Sequence, residues 1–300
     1  MIEQPLILYI PGLLPKPEAD IHRDALLRCL LAGIRRLDPE VADDIGSNPE
    51  SFDTVSWTYD FYGEYRDFAL DAASVVDVIE QPGAIRLDIN EATSTIRRLG
   101  RWLYTLGDML PFLIPHVANE RMELHLRDLR RYCRNDNDIA EHTRQMLKIP
   151  LRAASEAERP ILLIAHSMGS VIAFEALRQT SHDDGPVVAT DLFLTMGSPL
   201  GQRYIQKRLD GRDEPGILQW PNNIRRWINL AAVGDLTAID PVLADDFIDL
   251  EQQGLVESIE DRPVFNYFRL NGHLNVHSEY GYLVNAETAG IVAKWWRSVT

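Results

Sequence analysis

The chain has only two cysteines in 300 residues, Cys29 and Cys133. Two thiols so far apart supply neither a disulfide framework nor a cysteine-based zinc site, and they read as reduced, part-buried side chains. No basic leader or cleavage site is visible at the start, Met1-Ile2-Glu3-Gln4-Pro5, so no secretory signal is expected. No apolar stretch runs far enough to span a bilayer before charge, His or Pro interrupts it. Basic residues are in deficit, with 30 Lys and Arg against 45 Asp and Glu, a formal net charge of −15. A surface so acidic repels polynucleotide, so no nucleic-acid partner is expected. Internal repeats and low-complexity tracts are also lacking. These absences make a cytoplasmic protein the default expectation.

What is present is a large apolar fraction, 45% of the chain, enough for one sizeable core. The most informative stretch is Pro160-Ile161-Leu162-Leu163-Ile164-Ala165-His166-Ser167-Met168-Gly169-Ser170. The Ile/Leu run predicts a buried strand, and an apolar stretch of helical character, Val171 to Leu177, follows directly. Ser167 sits between them with small residues two places before (Ala165) and two places after (Gly169). A strand that turns into a helix within about two residues forces strain on the residue at the turn and leaves room only for small neighbours. The amide of Met168, at the helix start, is placed to face a developing oxyanion.

These residues resemble the nucleophile elbow of the α/β-hydrolase superfamily, in its lipase and esterase branch, with Ala in the first small position. The resemblance implies an α/β-hydrolase fold: a mostly parallel sheet, helices on both faces and a helical cap insertion. It also implies partners in the chain order Ser, acid, His. Asp235 follows the predicted strand Trp227–Val233 directly, and Asp240, before Pro241, is its rival in the same loop. The grouping Trp227, Asn229, Asp235, Asp240, Pro241 is similar to that of related hydrolases. His277 and His273 follow the predicted last strand, Val264–Leu270, and His277 precedes a serine and aromatics ahead of a closing helix (Ala286 to Trp296). The expected set is therefore Ser167, Asp235 and His277. The oxyanion donors would be Met168 and Leu13, the latter in a Pro11-Gly12-Leu13 loop after the strand Leu6–Ile10. His166 is expected to pack or hydrogen-bond away from the Ser167 hydroxyl, and Ser198, before Pro199, reads as a turn serine. The implied reaction is cleavage of a small-molecule or lipid ester through an acyl-enzyme, with no metal or organic cofactor. An acyltransferase or thioesterase uses the same machinery, and a non-catalytic binding protein on the same fold is a further alternative.

The predicted core covers 1–58 and 136–300, with a helical insertion or cap over 59–135. A helix is predicted from Pro17-Glu18 to Leu37, a strand over Phe52–Trp57, and helices over Glu64–Glu80, Ile89–Leu106 and Ile139–Lys148, with Asn119 as a candidate N-cap in between. From Arg97 to Arg134 eight arginines stand against four acids, beside an apolar run from Trp102 to Ile114. Such a segment can cover a serine site or meet an anionic membrane surface, so membrane contact through 97–134 is an expectation to examine.

Overall fold

The computed structural model describes residues 4–95, 97, 120–183, 185 and 188–300, with main chain only for 120–126. Its centre is a six-stranded sheet in which every pairing is parallel, in the order β2-β1-β3-β4-β5-β6. The strands are β1 (Leu6–Ile10), β2 (Phe52–Thr54), β3 (Ile161–His166), β4 (Thr190–Met196), β5 (Ile224–Ala232) and β6 (Ser258–Val264). A two-residue pair, β7 (Arg269–Leu270) with β8 (His273–Leu274), stands apart and is antiparallel. Helices cover both faces, so β1 and β3 are buried along their whole length, the reason they read as unbroken apolar runs.

Side-chain alternation along these strands divides the core in two. Ile7, Tyr9, Leu162 and Ile164 face one cluster with α1 (Ala19–Leu37) and α13 (Ala286–Val299), where Leu26, Leu30, Val292 and Trp296 fill the space. Leu6, Leu8, Ile10, Leu163 and Ala165 face the other, against α7 (Ile139–Glu156) and α8 (Met168–His182). The remaining helices are α2 (Pro39–Ser47), α3 (Thr58–Tyr62), α4 (Ala69–Glu80), α5 (Arg86–Ala92), α6 (Glu120–Cys133), α9 (Arg203–Gln206), α10 (Leu243–Asp246), α11 (Ile248–Gln252) and α12 (Glu279–Leu283). Asp38 closes α1 and caps α2, accepting from the Val41 amide ahead of Pro39 at the first helical turn. Val75 and Val78 of α4 pack into the same cluster as α1, so this part of the 59–135 segment contributes to the main core.

Several elements differ from the sequence expectation, and β2 is shorter than expected, Phe52–Thr54 rather than Phe52–Trp57. The last sheet strand is Ser258–Val264, not Val264–Leu270. Its Pro263 and its Glu260, Asp261 and Arg262 look unlike a strand, but β6 is an edge, where one side needs no partner and both proline and charge are accommodated. Beyond it Asn266 breaks the extended run: its Oδ1 accepts from the Phe268 amide and its Nδ2 donates to the Ser278 carbonyl. Helix α4 starts at Ala69 rather than Glu64, because Arg66 turns back to pair with Asp71 and the Asp67 carboxylate accepts from the Ala69 amide. Helix α7 continues through Pro150 to Glu156. The ladder bond lost at a proline is offset by the burial of Leu147, Leu151 and Ala154 on its inner face. The predicted helix Ile89–Leu106 is described only in α5 and at its start, and the rest of it, Asn119 and the Trp102–Ile114 run lie outside the described residues. Among the described residues no helix is long and apolar enough to cross a membrane.

Candidate active site

Ser167 occupies the turn between β3 and α8 with φ 53° and ψ −128°. That region is sparsely populated by any residue with a β-carbon, and it persists only where the surroundings fix it. Here the Ser167 amide donates to the Met196 carbonyl at the end of β4. Gly169 has no room for a side chain, since a Cβ there would lie 2.5 Å from the Ile10 carbonyl oxygen and 2.7 Å from that of Pro11. Ala165 is fully buried. The glycine at 169 is thus explained by backbone crowding. Met168 is the first residue of α8, and a helix leaves such amides without an intrahelical acceptor.

The three expected side chains meet. Ser167 Oγ lies 2.9 Å from His277 Nε2, and His277 Nδ1 lies 2.8 Å from Asp235 Oδ2. Ser167 and Asp235 are 8% and 1% exposed, whereas the His277 side chain is 28% exposed, so the imidazole is the member open to an incoming ligand. Asp235 follows β5 through Gly234, whose φ of 83° and whose closeness to the Ala92 carbonyl (2.5 Å from a built Cβ) both demand glycine. The carboxylate is fully engaged: Oδ1 accepts from the Thr237 amide at 2.9 Å, and Oδ2 also accepts from the Tyr282 hydroxyl at 2.9 Å. Burial alone pushes this carboxyl up. The His277 charge and hydrogen bond, with the Thr237 amide and Tyr282, outweigh it and hold Asp235 below its ordinary value. Asp235 is therefore a buried carboxylate that stays ionised.

The rival residues are elsewhere employed. Asp240 Oδ1 accepts from the Val242 amide at 3.2 Å, and its backbone crowds Gly201, bracing the loop. His273 stands exposed on the β7–β8 pair. Ser198 is buried, shares a 2.7 Å hydrogen bond with the Ser170 hydroxyl and accepts from the Leu200 amide. Trp227 donates to Thr195, Thr195 to Asn229, and Asn229 to both Pro241 and Asp261. Asp261 in turn accepts from the first amides of α10. This chain of buried bonds fixes the loop that carries Asp235 and accounts for the Trp227–Pro241 grouping.

Behind these side chains lies a second layer, of which the sequence places only His166, packed or hydrogen-bonded away from the Ser167 hydroxyl. His166 is buried and donates from Nε2 to the His277 carbonyl at 2.9 Å; its Nδ1 makes no hydrogen bond and lies 3.8 Å from Glu279 Oε2. Burial, then the neighbouring His277, pushes its pKa down to about 3, so the ring stays neutral. Glu279 accepts from Tyr9, Lys16 and His22, each at 3.0 Å. Its burial is outweighed by the Lys16 and His22 charges, which hold it well below the ordinary carboxylate value. Tyr282 accepts from the Ala232 amide while donating to Asp235. Gly197, at φ 58°, lets the end of β4 approach the triad: a Cβ there would lie 3.0 Å from both Asp235 Oδ2 and His277 Nδ1. The local signals were the glycine after β4 and the Glu-Tyr-Gly-Tyr run after His277, but neither specifies these partners.

Of the eight arginines between 97 and 134, Arg97 donates to the carbonyls of Leu274 and Gly234, linking the loops of His277 and Asp235. Arg131 donates to the Phe61 carbonyl and lies over that ring, and Arg127 pairs with Asp128. The structure of Arg98 and Arg101 and the side chain of Arg121 lie outside the description. No cluster of His, Cys, Asp and Glu among the described residues is arranged to hold a metal ion. No protein-family model, curated protein or solved structure matches this chain.

Proposed function

We propose that this chain is a serine hydrolase that cleaves carboxylic esters, built on an α/β-hydrolase-type core. One observation carries the reading: the continuous hydrogen-bonded line Ser167–His277–Asp235, headed by a serine held in a strained strand-to-helix turn. With Nδ1–H donated to the ionised Asp235, the lone pair of His277 Nε2 faces the Ser167 hydroxyl. His277 takes the proton as Oγ attacks the ester carbonyl, and Asp235 stabilises the imidazolium that forms. The tetrahedral oxyanion would be received by the amides of Met168 and Leu13. The neighbouring Leu14 amide is already bonded to the Tyr62 hydroxyl, which favours Leu13 as the loop donor. His277 then protonates the leaving alcohol and activates water to release the acid. A small-molecule or lipid ester fits this chemistry, and transfer to an acceptor other than water, or a thioester substrate, would use the same steps.

The test is labelling with a fluorophosphonate, which reacts only with an activated serine. Label is expected on Ser167 and is lost in Ser167→Ala, along with at least about 10³-fold of p-nitrophenyl ester turnover and with little change in thermal stability. A folded protein that takes no label would overturn the reading and favour a binding role for the same fold.

A further inference from the structure

We propose that Tyr62 is a positioning residue for the Pro11–Leu14 loop, and that Asp128 on α6 sets Tyr62, so that the segment after the loop controls the oxyanion donor. This rests on the reading of Ser167 as a nucleophile. The loop lies directly against that serine: a Cβ on Gly12 would be 2.6 Å from Ser167 Cβ and 3.1 Å from its Oγ. Small displacements of this loop therefore move amides that face the reacting centre. Two residues on, Leu14 has φ 76°, a left-handed conformation that leucine rarely adopts without outside support.

The support comes from two side chains outside the loop. Trp57 Nε1 donates to the Pro11 carbonyl at 2.9 Å, and the Tyr62 hydroxyl accepts from the Leu14 amide at 3.0 Å. Trp57 is buried in the core and is a fixed anchor. Tyr62 is held by another element: its own proton goes to Asp128 Oδ2 at 3.0 Å. The hydroxyl is thus oriented in one sense only, accepting from Leu14 and donating to Asp128. Burial, ahead of the nearby carboxylate, pushes the phenol above its ordinary value, so that proton stays in place. Asp128 is itself buried and is fixed by Arg127 at 3.1 Å. One turn further along α6, Arg131 donates to the Phe61 carbonyl at 2.6 Å and stacks over the Phe61 ring at 4.3 Å. Helix α6 therefore grips residues 61 and 62 from two successive turns, and that grip ends at a backbone amide beside the expected oxyanion donor.

Tyr62→Phe removes the hydroxyl and keeps the ring. The freed Leu14 amide lies where water can reach it, but buried Asp128 loses a donor, so a modest fall in melting temperature is expected. We expect kcat on a p-nitrophenyl ester to fall about tenfold, with KM within about twofold, because a displaced donor is felt in the transition state. Inhibition by a boronic acid, whose adduct at Ser167 is tetrahedral, should weaken by the same factor as kcat/KM. Amide hydrogen exchange over residues 11–16 should quicken. Asp128→Asn retains an acceptor for the Tyr62 proton and should keep most of the activity, whereas Asp128→Ala should approach Tyr62→Phe, and the double variant should be no worse than either. Unchanged exchange over 11–16 in Tyr62→Phe, or a loss confined to KM, would overturn the proposal. If the parent protein takes up fluorophosphonate at Ser167 while the Tyr62 variants match it in rate, only the positioning role fails. If the parent takes up none, the nucleophile reading fails and this proposal with it.

Discussion

The His277 loop and the Pro11–Leu14 loop reach Ser167 from opposite ends of the chain, and they are held by different means. Around His277 the neighbours are tied down by polar side chains, most of them buried and Asn275 exposed. His166 holds its carbonyl, Asn275 its amide, Asn266 the carbonyl of Ser278, and Tyr9, Lys16 and His22 converge on Glu279. The other loop is spanned by two aromatic arms, Trp57 and Tyr62, one anchored in the core and the other on Asp128 of α6. On the proposed reaction, the difference follows from what each would have to do. An imidazole that changes charge during reaction needs fixed dipoles and an ionised partner around it, and these are effective only out of water. A backbone donor needs only to be kept in place, and a hydrogen bond at the protein edge suffices. The first arrangement is costly to disturb; the second is easily shifted, which makes it the natural place for adjustment.

The sharpest way to break this comparison is at the carboxylate. Asp235→Asn keeps the shape of the side chain, and its oxygen can still accept from the Thr237 amide, but its NH2 group then faces Tyr282 and His277 Nδ1 and no longer specifies the His277 tautomer. We expect kcat to fall about 10⁴-fold with the melting temperature nearly unchanged. Measured side by side with Tyr62→Phe, a loss no larger than that variant's would mean that the buried arrangement is not the more demanding of the two. The next effect is on stability. Glu279→Ala leaves the part-buried Lys16 ammonium without its carboxylate, and breaking a buried pair by removing one partner costs about 3–5 kcal/mol. Lys16 retains some exposure, so the lower end is expected in a urea unfolding titration. A loss under about 1 kcal/mol, the scale of a surface ion pair, would show that water already reaches this cluster.

The same contrast governs how much could be read from the sequence. Ser167 and Asp235 were legible because each follows a central strand of the buried sheet, and burial imprints itself as apolar runs with small residues at the crowded turn; His277 was picked out by chain order and by the serine and aromatics after it, although the strand expected before it lies elsewhere. The edge strand β6 was missed because one open side relaxes that imprint: Pro263 and three charges are tolerated where a central strand would reject them. Glu279 and Lys16 carry no mark of their partnership, being 263 positions apart and separately read as ordinary charged residues. Tyr62 was invisible for the same reason, since its two bonds run to Leu14 and Asp128 and depend wholly on how the chain folds back. Periodicity reports which face of an element is buried; it does not report which polar groups meet beneath the sheet.

The smallest effect is also the most specific to the buried side. His166 has a folded-state pKa of about 3 against an ordinary 6.5. As pH falls below about 6.5 the unfolded chain gains a proton there and the folded chain does not, so stability declines from pH 6.5 towards 3, by about 1–2 kcal/mol at pH 5. Glu279 acts in a lower window. Its folded value is depressed below 4.5, so the stability it contributes is present above pH 4.5 and is lost as pH drops through the folded value. His166→Gln does not titrate and places an amide N–H where Nε2 now donates to the His277 carbonyl. Its stability at pH 7 should lie within about 1 kcal/mol of the parent, and its urea midpoint should fall less steeply than the parent's all the way from pH 6.5 to about 3, with the loss at Glu279 common to both proteins below pH 4.5. Parallel curves over the upper window would mean that the His166 ring takes a proton without resistance in the folded state, and the layer beneath the triad would then be wetter and looser than the one described for His277.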